Sequence, residues 1–412
     1  MSFNEWKAVR LEELCTKITS GGTPNTQKKE YYGGNIPWLK TQEVTFNRIY
    51  KTETFITEEG LSNSSAKWIP ENAVIVAMYG ATAGRIAVNK IPLTTNQACC
   101  NLIVNSELAN YNFIYYHLLS RFEEIAGMAI GGAQPNLNAG MIKDLKISIP
   151  SIEVQHNIAH ILSSIDDKIE NNLATNQTLE EIARTLFKEW FVNFNYPNAD
   201  GNLKHSEFGE IPESWSINGI GEICYVQNGY AFKSKDFQEQ GEVGIIKIKN
   251  ISGNVVDIQN TDFVDASVVS SLDTKFKIES GSLLIAMTGA EVGKIGLVPL
   301  TEKNLWLNQR VGMFQEKIAF GNLFMYLLLS TDTYQTAIQN SALGSAQPNI
   351  SASAIESIRA VIPPAELIEA FGKTVKPMFE KILDNLAESE TLKTTRDSLL
   401  PKLMSGEIKV NG

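Results

Sequence analysis

The 412-residue sequence contains no apolar run long enough to cross a membrane, which takes about 18 residues. Its start, MSFNEWKAVR, lacks the basic-then-apolar layout of a secretion signal. Both features lead us to expect a soluble, cytoplasmic chain that makes no membrane contact. Cysteine is scarce. Cys15, Cys99, Cys100 and Cys224 show neither metal-ligand spacing nor disulfide density, and their apolar neighbours predict reduced thiols in the core. Only four histidines occur. His156 and His160 lie four apart, but no third ligand is near and no Glu follows His156, so a solvated helix face is expected and no metal. A basic excess is also missing: the formal net charge is −10, which argues against a simple nucleic-acid binder. The acid is unevenly spread. Residues 1–150 carry 14 basic against 13 acidic side chains, residues 151–200 carry 3 against 8, and residues 201–363 carry 12 against 17. DNA binding by this chain alone should therefore be weak unless a partner adds basic surface.

Catalytic signatures are missing too. The run from Gly289 to Ile295 has one residue too few between its glycines for a phosphate-binding loop, and Ile295 stands where a Mg-binding hydroxyl is needed. A β-hairpin tip fits this run and its twin, Gly80–Ile86, better. No Gly-rich cofactor fingerprint follows a strand, and no Asn-Pro-Pro-aromatic tetrad of the amino-methyltransferase kind occurs. No catalytic residue is assigned. The residues predict binding and not catalysis, with 43% hydrophobic composition supplying enough apolar mass for two to four units.

What is present is a tandem duplication. Trp6 and Trp215 lie 209 apart, and Leu14-Cys15 matches Ile223-Cys224 at the same offset. Ala77–Ala81 and Gly84–Ile86 match Ala286–Ala290 and Gly293–Ile295, again at 209. Asn96-Gln97 matches Asn308-Gln309 at 212, while Ala133-Gln-Pro-Asn136 matches Ala346-Gln-Pro-Asn349 at 213, as Pro150 does Pro363. Collinear matches with so small a drift mark two copies of one unit.

Each copy opens with short β-like runs separated by Gly, Asn and Pro clusters: Ala73–Met78, Arg85–Val88 and Lys146–Ile149, then Gly244–Ile248, Ser282–Met287 and Ile295–Val298. One helix per module is expected, over Tyr111–Ile125 and Leu323–Ile338. A long helix follows. Ile158, Leu162, Ile165, Ile169, Asn172, Asn176, Leu179, Ala183, Leu186 and Trp190 keep 4-3 spacing, the seam of a coiled coil. The second copy repeats it with Phe371, Val375, Met378, Ile382, Asn385, Ser389, Leu392, Arg396, Leu399 and Leu403. Antiparallel pairing is expected through Ile165, Ile169, Asn172 and Leu179 on one helix and Met378, Ile382, Asn385 and Leu392 on the other. Asn172 should face Asn385, because a seam Asn fixes register. Pro377 should kink the second helix or mark where its long part starts. A helix of about 40 residues would run about 60 Å, enough to hold two modules apart. Asn193–Glu213, rich in Asn, Gly and Pro without periodicity, reads as a linker.

Two polar, glycine-kinked loops carry basic and aromatic residues. The first holds Ser20, Gly22, Thr23, Lys28, Lys29 and Tyr31, and its counterpart holds Tyr230, Lys233, Ser234 and Lys235. The following strands bring Lys40 and Gln42, then Lys247, Lys249 and Asn250, and the hairpin tips bring Arg85 and Lys294. Lys and backbone amides can meet phosphates, while Gln or Asn can pair with adenine and Lys or Arg with guanine. Any single one of these is compatible with ordinary surface polarity; their recurrence in both copies singles out the loops as a class.

The run Asn157–Glu170, continuing through Thr178–Phe191, resembles the central conserved region of Type I restriction-modification specificity subunits. Gly209–Trp215 resembles that family's approach to its second recognition domain, and Arg396–Ile408 its C-terminal hallmark. The Gly-Gly-Thr-Pro loop and both Ala-Gln-Pro-Asn segments are similar to those of target recognition domains. The resemblance implies an α+β fold: two tandem strand-rich recognition domains related by pseudo-twofold symmetry and separated by two long antiparallel coiled-coil helices. The domains would be residues 1–150 (recognition domain 1), 151–195 (spacer helix 1), 196–213 (linker), 214–363 (recognition domain 2) and 364–412 (spacer helix 2). It further implies a non-catalytic subunit that reads a bipartite asymmetric site in double-stranded DNA. Two methyltransferase subunits and restriction subunits would dock on it, bringing S-adenosylmethionine, ATP and Mg, with no cofactor in this chain. The alternative is a duplicated protein–protein scaffold that reads no DNA.

Overall fold

The computed structural model describes residues 6–129, 136–251, 253–342 and 348–410. Their contacts divide Met1–Lys168 with Leu392–Gly412 from Ile169–Thr391. Each unit therefore combines one strand-rich module with one part of both long helices.

In the first unit, five strands lie in the order Cys15–Ser20, Cys99–Val104, Val74–Ala77, Ile86–Asn89 and Arg48–Ile49. All neighbours are antiparallel except the last pair. Val74–Ala77 and Ile86–Asn89 are buried along their whole length, which is why Val74–Ala77 and Ile86–Val88 read as unbroken apolar runs and not as alternating ones. A second sheet sets Tyr32–Leu39 between Thr54–Ile56 (antiparallel) and Thr94–Thr95 (parallel). Lys7–Arg10 pairs with Lys146–Ile149, joining the start of the module to the strand before the first long helix.

The second unit repeats this plan, as the duplication requires. Cys224–Asn228, Val311–Glu316, Leu283–Ala286 and Ile295–Leu297 form the first sheet, and a parallel bridge from Val255 to Leu297 stands where Arg48–Ile49 stood. Val243–Ile246 lies between Asp262–Val264 (antiparallel) and Asn304–Leu307 (parallel), widened by Phe237–Gln238 and Lys277–Ile278. Ser216–Gly219 pairs with Arg359–Ile362. Three thiols are buried and Cys15 partly so. Burial pushes Cys15, Cys100 and Cys224 up to about 12.

Three expectations need correction. Each module has two helices at the place where one was read: Tyr111–Ser120 and Phe122–Met128, then Gly321–Leu329 and Asp332–Ser341. The first pair breaks at Arg121, whose backbone (φ −113°, ψ 18°) leaves the helical region. The segment read as a linker contains a β-hairpin, Leu203–Ser206 with Gly209–Pro212. The second long helix is one element, Ala365–Met404, so Pro377 lies inside it and does not mark where its long part starts. A proline removes one backbone hydrogen bond. Pro377 faces solvent, while Val375, Phe379 and Ile382 anchor the opposite face in the core.

The first long helix spans Ile152–Phe191 and, like the second, has 40 residues. They pair as an antiparallel coiled coil. In the second unit, the Asn172 side chain donates to Ser389 Oγ (3.3 Å), Glu388 Oε2 (2.9 Å) and the Asn385 carbonyl (3.4 Å). Asn385 Nδ2 donates to Asn176 Oδ1 (2.8 Å), and Asn176 to the Ile382 carbonyl (3.4 Å). Residue numbers thus fall along one helix as they rise along the other. Asn172 meets Asn385 at its backbone carbonyl, as expected, while the side chain paired with that of Asn385 is Asn176. The first unit shows the same register: Arg396 Nη1 donates to Asp166 Oδ1 at 2.8 Å.

Candidate nucleic-acid interface

The loop residues converge because three strand ends meet. In the first unit, the Asn96 amide donates to the Leu39 carbonyl (3.0 Å), Gly22 N to Thr95 O (2.9 Å) and Met78 N to Ala98 O (2.8 Å). The Asn96-Gln97 turn therefore lies between the Ser20–Lys28 loop, the Lys40–Gln42 turn and the hairpin tip that runs from Tyr79 to Arg85. Thr23 Oγ1 hydrogen-bonds Gln97 Oε1, tying the first loop to that turn. The tip is also bridged by Asn136 to Tyr79.

The second unit builds the same edge. Asn308 N donates to Ile246 O (3.1 Å), Tyr230 N to Leu307 O (2.8 Å), Gln309 N to Tyr230 O (2.9 Å) and Met287 N to Arg310 O (3.0 Å). Asn349 bridges Thr288 on the tip, and Gly289 N donates to Pro348 O at 2.9 Å. The remaining Ala-Gln-Pro residues, 133–135 and 346–347, lie outside the described residues. Both crossings are so close that only glycine fits. A Cβ on Gly21 would lie 2.1 Å from Thr95 O, and one on Gly229 would lie 2.2 Å from Asn308 O. Both tips turn through glycines with positive φ: Gly80 (65°) and Gly84 (84°), Gly289 (77°) and Gly293 (88°). This bears out the hairpin-tip reading.

Not every candidate reaches the surface. Tyr31 is buried and its hydroxyl accepts from Lys28 Nζ (2.9 Å). Gly22 is buried, and its carbonyl accepts from the Trp38 indole at 2.9 Å. Asn250 is buried and holds its own turn, donating to Asp257 O and Asn260 O at 3.0 Å each. These three side chains or backbones shape the edge from within. Lys28, Lys29, Gln42, Lys233, Ser234, Lys235 and Lys249 are exposed, while Ser20, Thr23, Lys40, Arg85, Tyr230 and Lys247 are half-buried.

The two edges differ in charge pairing. In the second unit, Asp262 binds both Lys247 (2.5 Å) and Lys249 (2.6 Å), and Lys294 pairs with Glu291. Burial works against the charged form of Asp262, but the hydrogen bonds from the two lysines outweigh it and its pKa is lowered. Lys247 also sits 3.5 Å from the Phe237 ring centroid. In the first unit, Lys40 lies over Trp38 at 5.6 Å. Sequence reasoning passed over Gln97, Gln309, Arg310 and Tyr79. All four are exposed on these edges, and all lie in or beside the repeated motifs that first revealed the duplication.

Residues 4–181 and 212–391 each match the family described as Type I restriction modification DNA specificity domain. The chain belongs to that family. A Type I restriction enzyme specificity subunit from Methanocaldococcus jannaschii (MjaIX) is 30% identical, over 98% of this chain and 94% of the relative. The HindI specificity subunit of Haemophilus influenzae is 24% identical, over 98% of this chain and all of its own length. The S subunit of a Type I system from M. genitalium shares the fold, with a TM-score of 0.65 at 19% identity, covering 98% of this chain and 97% of that one. For a specificity subunit, two matched domains coincide with the two copies of the edge. Among the described residues, no helix is long and apolar enough to cross a membrane.

Proposed function

We propose that the two edges read the two halves of one asymmetric, bipartite DNA sequence, and that the chain itself carries out no chemistry. The observation that carries this is the recurrence of the whole three-loop edge with different side chains: Thr23, Lys40, Gln42, Arg85 and Gln97 in one copy, Tyr230, Lys247, Lys249, Gln309 and Arg310 in the other. Lysines at the rim would neutralise phosphates, and Gln97, Gln42 and Gln309 would meet base edges in the major groove. Because Lys249 stands where Gln42 does and Arg310 where Ala98 does, the two half-sites would differ. Methyltransferase subunits would bind S-adenosylmethionine and modify adenines, and restriction subunits would use ATP and Mg. The chain's net charge of −10 fits a subunit whose partners complete the basic surface around DNA in the cytoplasm.

The test is to map N6-methyladenine across the genome of a methylation-free host that makes this chain together with its neighbouring methyltransferase. One bipartite asymmetric motif, lost when this chain is omitted, is the expected result. Methylation at an unchanged motif without the chain, or none with it, would replace this reading with that of a scaffold that joins two protein partners.

A further inference from the structure

The two long helices descend from one ancestral helix, so a physical problem follows from the duplication. Nine of the ten seam positions match in apolar or polar character between the copies, and even the asparagine layer would survive self-pairing. Asn172 could face Asn176 of a second first helix as readily as it faces Ser389. Nothing in those layers tells the first helix to choose the second helix of its own chain over a copy of itself in another chain.

One layer does. The sharpest break in the repeat is Ala183 against Arg396, and the structure shows that Arg396 reaches Asp166 (2.8 Å), whose own counterpart is Phe379. Two coordinated differences thus fall on two positions that face one another. The carboxylate is well covered: its side chain is 13% exposed and that of Arg396 is 23% exposed. Tyr116 donates its hydroxyl to the second carboxylate oxygen at 2.5 Å, and Asp397 holds the guanidinium from the other side at 2.8 Å. In the second unit, Ala183 and Phe379 are buried in the apolar core.

We propose that the Asp166–Arg396 pair is a partner selector that commits the first long helix to the second. In the shared register, pairing of two first helices would set each Asp166 against an Ala183, twice per dimer. Pairing of two second helices would set each Arg396 against a Phe379. The first arrangement covers a carboxylate without its counter-ion, which is far costlier than the worth of the intact pair, and the second sets the guanidinium against a ring with only Asp397 left to pair it. The proposal goes beyond the DNA-reading assignment and does not depend on which sequences the modules read.

The experiment uses full-length chains and measures mass by light scattering. Asp166→Arg and Arg396→Asp each place like charges opposite one another within a chain, yet the two variants complement each other between chains. Mixed or co-produced with different tags, they should form a one-to-one complex. The double variant Asp166→Arg/Arg396→Asp should restore the mass distribution of the unsubstituted chain. Should a single variant fail to accumulate alone, its recovery in soluble form only with the other, at one-to-one ratio, supports the selector equally. The proposal is overturned if the two single variants and their mixture keep the mass distribution of the unsubstituted chain. It is overturned as well if the pair stays insoluble together while the double variant folds. Genome-wide methylation by the unsubstituted chain reads out the DNA assignment separately.

Discussion

The two units hold the same pair of helices with different chemistry. In the first unit polar attachments stand beside an apolar core that takes in Val154, Ile158, Leu162, Leu400 and Leu403: Tyr116 and Arg396 on Asp166, Arg48 on Asp167, and buried Gln155, whose side chain accepts from Asn110 N (3.1 Å) and donates to Pro150 O (3.1 Å). In the second unit Glu180 takes polar contacts from Tyr326 (2.8 Å) and Asn254 (2.9 Å), and a cluster of rings is added. Phe371 packs against Phe187, Phe191 and Trp190 with centroids 6.0, 4.9 and 5.5 Å apart, and Phe191 packs on Phe324 and Trp215 at 4.9 and 6.0 Å. One backbone plan therefore tolerates either solution. What the duplication preserved is register and sheet order; what it released is the chemistry of the joint.

The largest expected effect comes from breaking the aromatic joint. Phe371 is fully buried, so Phe371→Ala should remove about 3–5 kcal/mol, the usual range for deleting a buried aromatic. Denaturant unfolding measures the loss, and amide hydrogen exchange should place it in the second unit. A loss under about 1 kcal/mol, or one confined to the first unit, would mean that the ring cluster is not what holds that module to its helices.

A smaller effect separates the units by pH. His117 is buried in the first unit, and Leu327 takes its place in the second. Burial, helped by nearby Arg121, lowers the His117 pKa to about 4. The unfolded chain takes up this proton near pH 6.5, so the fold loses stability as pH falls from there towards about 4. The whole window amounts to on the order of 3 kcal/mol. His117→Leu should flatten that acid limb in the first unit and leave the second unchanged. An unaltered slope between pH 6.5 and 4 would assign the acid sensitivity to other groups.

Much of this comparison could be read from the sequence, because repeats and periodicity are local. The offsets near 210, the apolar runs of the central hairpins and the 4-3 seam all survive as observed elements. What could not be read was long-range. The Asp166 partner of Arg396 lies 230 positions away and is chosen by helix register, which no local pattern encodes. The same holds for Asn176 as the side-chain partner of Asn385. The hairpin over Leu203–Pro212 escaped because its strands are mostly exposed, leaving no apolar alternation; its turn rests on Gly209 at φ 91°. Tyr31 and Asn250 looked like surface chemistry because loop composition does not reveal which polar groups hold the loop itself.

The smallest expected effect is the most informative about function, because it asks whether the two edges act separately. Gln97 and Gln309 occupy equivalent turns, and the side chains around them differ. If each reads its own half-site, Gln97→Ala should relax one half of the methylated motif and Gln309→Ala the other. Loss of a bidentate base contact weakens discrimination by about 1–3 kcal/mol, so a degenerate position should appear in one half while the other stays intact. Methylome sequencing of the two variants shows which half moves. If both substitutions blur the same half, the edges do not divide the sequence between them, and if neither moves the motif, reading rests on other side chains of those loops. A loss spread evenly over both halves would mark the glutamines as supports of the turn, since a fold defect weakens binding without erasing a base preference.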